Sequence, residues 1–195
     1  MDPELRERLE AIGEQLRAKI SSKFQTSTFL GGLALTILGI LIAAVLQWQG
    51  KVIPVQIFAS ISLLLAAVIL YVGAIVRLDE LTMPKPFWEV APAPSAGSPS
   101  LFGYLDRDDL YGLKDRMVFY WQRLTMGGTY LMALAVVLML LPVDLCEIPT
   151  QPIDAPRRWY VFMALLVTSL AAAAYLKLTG RYADKHFLPL RRPVD

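Results

Sequence analysis

The sequence predicts an all-α integral membrane protein, with four transmembrane helices arranged as two hairpins and extended by cytoplasmic amphipathic helices. Three observations carry this expectation. The 195-residue chain is 55% hydrophobic and only 18% charged, with a mean hydropathy of +0.47, which is too apolar for an ordinary domain in water. Its apolar residues sit in blocks: residues 28–47, 52–76, 124–141 and 159–176 contain no Asp, Glu, Lys or Arg. Each block has about the 17–25 residues that a helix needs to cross a hydrocarbon core. Lys and Arg gather in alternate connections, the pattern of a chain that crosses the bilayer repeatedly.

The first helix is expected to start well before its span. Asp2 can cap it and Pro3 can open it, and Leu5, Leu9, Ile12, Leu16 and Ile20 then recur at spacings of three and four, along one helix face. Glu4, Arg6, Glu7, Arg8, Glu10, Glu14 and Arg17 fill much of the remainder. A narrow apolar stripe among mixed charges reads as a coiled-coil or bundle contact. A helix lying on the membrane needs a wider apolar face and a more basic polar one. Continued to Gln47, this helix would be about 70 Å long at ~1.5 Å per residue, so a cytoplasmic stalk follows unless Gly31 and Gly32 break it. The polar stretch ahead of the first span is longer than the n-region of a signal peptide, so that span is expected to remain as an anchor.

Small residues recur on the first span as Gly32, Thr36, Gly39 and Ala43, and on the second as Ala59, Ser62, Ala66 and Gly73. Such stripes let helix backbones approach closely, which in lipid replaces the missing hydrophobic drive. They suit packing of a hairpin within one subunit, or an interface between subunits or a pore lining. Ala164, Thr168, Ala171 and Tyr175 make a less distinctive stripe on the fourth span.

Residues 83–104 are rich in proline and small residues and read as a cytoplasmic linker between two units, 1–82 and 105–178. The second unit opens near Asp106, Asp108 and Asp109, acidic residues suited to a helix N-terminus, and Leu110, Leu113, Met117 and Tyr120 form an apolar stripe before the third span. Both units share one plan, a charged helix followed by a span, an outer connection and a second span. The segment Phe24-Gln-Thr-Ser-Thr-Phe-Leu-Gly-Gly32 echoes Trp121-Gln-Arg-Leu-Thr-Met-Gly-Gly128, with a gap. Any repeat would be parallel, unlike transporters built from inverted repeats. Residues 179–195 form a basic tail.

Orientation follows from the flanks. Basic residues precede the first span, crowd the segment between the second and third, and follow the fourth, while Lys51, Arg157 and Arg158 are all that the other side carries. The termini are therefore expected in the cytoplasm, N-in and C-in, across a bacterial-type inner (plasma) membrane. Trp48, Trp159 and Tyr160 would mark the outer interface, and Trp121 with Tyr120 the inner one, as membrane-interface anchors.

The chemistry that remains open is narrow. Cys146 is the sole cysteine and His186 the sole histidine, which excludes an intrachain disulfide and a Cys/His zinc cluster. No cofactor, metal site or catalytic residue is expected. No ionisable residue lies within the four apolar stretches, which argues against a proton relay or charge-coupled pump but leaves a pore open. Asp106, Asp108 and Asp109, with Asp79 and Glu80, could hold Mg²⁺ against a lipid phosphate, but their spacing matches no phosphate-transfer signature and helix capping is the favoured reading. A net charge of +2 without a single basic patch makes nucleic acid an unexpected partner. The expected role is that of a non-enzymatic polytopic subunit or scaffold of a membrane complex. It would contact membrane lipids and either copies of itself, as a homo-oligomer, or partner proteins. A channel-like homo-oligomeric pore or membrane-disrupting effector is the alternative, and a lipid-modifying enzyme comes third.

Overall fold

The computed structural model describes residues 3–47, 53–82, 107–140, 147–148 and 155–186. The linker 83–104, Trp48 and Cys146 lie outside the described residues, as does Asp106. The described chain is helical apart from one short ladder. Helix α1 spans Pro3–Gln47 without interruption, about 68 Å at ~1.5 Å per residue. Gly31 and Gly32 do not break it. A glycine costs a helix only about 1 kcal/mol relative to alanine, whereas an opened backbone in lipid leaves polar groups unsatisfied at several times that.

Helix α2 is Val55–Thr82 and α3 is Arg107–Tyr120. A π-helical turn, Trp121–Thr125, follows directly and leads without a break into α4, Met126–Leu140. Helix α5 is Ala155–His186. It runs past the fourth apolar stretch, so the first part of the basic tail is helix, and its Thr179 and Ala183 are buried. Four segments, Ala11–Gln47, Gln56–Leu81, Gly112–Leu140 and Met163–Ala183, are long and apolar enough to cross a membrane. They overlap all four apolar stretches of the sequence, which is the signature of an integral membrane protein.

The packing is organised around α2, against which α1, α4 and α5 all lie. Helix α5 leans on α2 far more than on α4, so the second pair of spans is not a self-contained hairpin. Helix α2 can serve three neighbours because its buried residues cover a wide arc, from Ala66 and Leu70 through Ala74, Tyr71 and Leu64 to Ile61. Small residues on it admit the partners. At Gly73 an added Cβ would fall 2.3 Å from the side chain of Leu176 on α5.

Two apolar clusters stack along α2. One joins Ala34 and Leu38 of α1, Ile61, Leu64, Ala67 and Tyr71 of α2, and Ala135 of α4. The other, at the opposite end, joins Leu16 and Ile20 of α1, Leu78 and Leu81 of α2, Leu113, Met117 and Tyr120 of α3, and Leu124 with Ala183. Leu16 and Ile20 of α1 thus pack inside their own chain. Beyond the first cluster, β1 (Ile53–Pro54) pairs antiparallel with β2 (Glu147–Ile148), Ile53 opposite Ile148. This ladder sets the residues just before α2 against Glu147–Ile148, which lie between α4 and α5.

Candidate functional site

Four polar side chains of the spans, Ser27, Tyr71, Thr125 and Thr129, gather where α1, α2 and the π turn meet. Tyr71 of α2 is fully buried, and glycines make room for it on both sides. A Cβ at Gly31 of α1 would sit 3.2 Å from the Tyr71 Cβ, and one at Gly128 of α4 would sit 3.1 Å from the ring. Both glycines come from the two echoing segments. The Tyr71 hydroxyl lies 3.1 Å from Thr129 Oγ1, and Thr129 itself donates to the Thr125 carbonyl at 2.9 Å. With that proton committed, Tyr71 is the donor to Thr129.

One turn earlier, Ser27 Oγ of α1 lies 2.8 Å from Thr125 Oγ1, a buried contact across 98 residues of sequence. Ser27 also donates to the carbonyl of Lys23 at 2.9 Å, which leaves Thr125 as donor between the two hydroxyls. On the adjacent turn the Lys23 ammonium stands 3.9 Å above the centroid of the Trp121 ring, a cation–π contact. Further along, Ser60 of α2 donates to the Ala135 carbonyl at 3.0 Å, also buried. Hydroxyls therefore tie α1 to the π turn and α2 to α4 within the spans, each finding a partner where water cannot supply one.

The π turn is part of this arrangement. The N–H of Met126 reaches back to the carbonyl of Trp121, and the adjacent residues Leu124 and Thr125 are both buried. On a straight α-helix neighbours point about 100° apart. Widening the turn lets Leu124 finish the stripe Leu113, Met117, Tyr120 while Thr125 reaches Ser27. At the same end, Arg77 pairs with Glu80 at 2.9 Å, and its guanidinium passes over Gly180 of α5, where a Cβ would sit 2.6 Å from Nη2. Phe119 stacks on Tyr182 at 5.5 Å between ring centroids, and Tyr182 lies 4.1 Å from the His186 ring.

The residues singled out from the sequence divide. Gly32, Thr36, Gly39 and Ala43 all face away from the rest of the chain, and nothing lies within 4 Å of a Cβ placed at Gly32 or Gly39. Of the α2 stripe, Ala66 is buried, Ala59 and Ser62 are half-buried, and Gly73 meets Leu176. Leu16 is buried whereas Ile12 is 52% exposed; the side chains of Leu5 and Leu9 are outside the described set, as are those of Trp159 and Tyr160. Trp121 is half-buried under Lys23. Among the described residues no three His, Cys, Asp or Glu side chains come together. Sequence reasoning passed over Ser27, Ser60, Tyr71, Thr125 and Thr129. The echo held the available signal, since it contains Ser27, Gly31, Thr125 and Gly128. The chain matches no protein-family model, and comparison with curated proteins and with solved structures returns no match.

Proposed function

We propose that this chain is a non-enzymatic membrane subunit or scaffold that assembles laterally through the outward face of α1, with copies of itself or with the spans of partner proteins. Both termini then lie in the cytoplasm, beneath a bacterial-type inner membrane. One observation carries the reading: Gly32, Thr36, Gly39 and Ala43 form a continuous small-residue face directed away from the chain's own core. Small residues of α2 and α4 are spent inside, where they admit Leu176 and Tyr71. Those on α1 admit nothing within the chain. A lipid-facing surface has no need of glycine, and elsewhere on α1 that surface carries Phe29, Ile40 and Leu46. A second helix, by contrast, gains close backbone contact from such a face.

The test is native mass spectrometry of the full chain after mild extraction, comparing wild type with Gly32→Leu and Gly39→Leu. Open space at both positions means that these changes leave the chain's own packing intact. The wild type is expected to carry additional mass, from further copies or stoichiometric partners, and the variants to lose it. Variants that keep the wild-type assembly would exclude this face.

A further inference from the structure

We infer that the junction of α1 with the π turn binds the headgroup of an anionic phospholipid, with Lys23 and Trp121 as its floor and Lys19 and Lys114 above them. Lys23 lies five residues before the first apolar stretch and Trp121 three before the third. Their contact therefore stands at headgroup level, in whichever leaflet the α3 end of the bundle meets. A lysine at that depth ordinarily extends its head into water. Lys23 is instead half-buried, with its ammonium 3.9 Å above the centroid of the Trp121 ring. The ring face occupies one side of the ammonium, which has three N–H donors, and leaves the other side for an acceptor. Among the described residues no carboxylate pairs with Lys19, Lys23 or Lys114. Glu14 stands ~140° round α1 from Lys19, and Asp115 ~100° round α3 from Lys114. A partly desolvated cation without a counter-charge is costly, and a phosphate supplies that charge.

The surroundings select a lipid over a free anion. Helix α1 and the rod made by α3 and α4 run in the same direction, since Lys23 meets Trp121 and Ser27 meets Thr125. Lys19 is one turn before Lys23 and Lys114 two turns before Trp121, so both lie along the same seam, further from the bilayer. Both are exposed. Toward the bilayer the same edge of α1 turns apolar: Leu30, Leu33 and Ile37 follow Lys23 at seven, ten and fourteen residues. Leu33 is exposed and the other two are half-buried. Cations above an apolar edge match a phosphate above an acyl chain, and a free phosphate has no use for the apolar half. The general bias of lysines toward one side of a membrane does not account for one seated on an aromatic ring. This seam lies ~180° round α1 from Gly32, so it stands apart from the assembly face and does not depend on it.

The test uses the full chain with Trp48→Phe, Trp88→Phe and Trp159→Phe, which leaves Trp121 as the sole tryptophan emitter. It is placed in phosphatidylcholine vesicles containing a minor share of phosphatidylglycerol brominated near the headgroup end of its acyl chains, and quenching of Trp121 is compared with that by brominated phosphatidylcholine at the same share. The anionic lipid is expected to be enriched beside Trp121 by about fivefold over its bulk share, the worth of roughly one lysine at an anionic surface. Lys23→Gln should abolish the enrichment and Lys23→Arg keep it. Lys19→Gln, a change at an exposed position that cannot disturb packing, should reduce it, and Lys185→Gln on α5 should leave it unchanged. Quenching in proportion to bulk share overturns the site, as does enrichment that survives both Lys23→Gln and Lys19→Gln. An equal loss in Lys185→Gln would reduce the effect to general attraction by the basic end of the protein. Loss of enrichment on adding inorganic phosphate at constant ionic strength would make the seam a free-anion site and likewise overturn the proposal.

Discussion

Tyr71 shows how a single side chain can dictate its neighbours' identities. A large aromatic ring is buried in the middle of a span, and it fits because Gly31 and Gly128 bring backbone rather than side chain against it. The glycine pairs 31/32 and 127/128 look equivalent in the sequence. In the fold one member of each faces Tyr71, Gly127 makes an ordinary contact with Leu70, and Gly32 faces open space. Gly128→Ala is therefore expected to destabilise the protein by about 1–3 kcal/mol, the usual range for overpacking. Gly32→Ala should be neutral or stabilise by up to about 1 kcal/mol through helix propensity. Unfolding titrations of the two variants in one detergent system check this; equal effects would mean that Tyr71 does not occupy the slot described. Hydroxyls act at the same scale, because a Ser or Thr in lipid donates its proton either to its own preceding turn, as Thr36 does to Gly32 at 2.9 Å, or across to a neighbour, as Thr125 does to Ser27.

At the scale of elements, α1 is two structures on one axis. Its later turns cross the bilayer, and its earlier turns bury Leu16 and Ile20 against α3. The stripe Leu5, Leu9, Ile12, Leu16, Ile20 was legible from spacing alone. Which of its members find a partner inside the chain was not, and Ile12 is 52% exposed. Leu16→Ala should cost about 2–5 kcal/mol as a buried large-to-small change, and Ile12→Ala less than about 0.5 kcal/mol as a surface one. Chemical unfolding followed by circular dichroism separates the two, and a similar cost for both would remove the distinction between the faces. Substitutions at Leu16 therefore report on folding, so association is better probed at Gly32 and Gly39. The π turn was invisible to periodicity because each of its flanking stripes is regular by itself.

At the scale of the whole molecule, the β1–β2 ladder and the cluster around Leu16, Leu113 and Ala183 define opposite ends. The positive-inside rule assigns the second of these to the cytoplasm. In intact cells an impermeant maleimide is accordingly expected to label native Cys146 from outside. Lys185→Cys in a Cys146→Ser background should be labelled only after permeabilisation. The opposite pattern would invert the proposed orientation.

Hydropathy by itself determined four segments apolar and long enough to span a membrane, because a helix without charges over about 20 residues has no stable place in water. Charge placement gave an expected orientation, and the proline-rich run an expected boundary between units. Only the tertiary structure decided that α2 is the hub, that α5 joins it rather than forming a hairpin with α4, and that Gly32 and Gly39 look outward while Gly73 and Gly128 look inward. The reason is physical. In water a buried face is apolar and an exposed face polar, so burial is written in the sequence. In a bilayer the solvent is as apolar as the core, and Leu38, which is buried, is chemically the same as Leu46, which is exposed. What selects the inner face there is close fit and paired hydroxyls, and both depend on which helices meet.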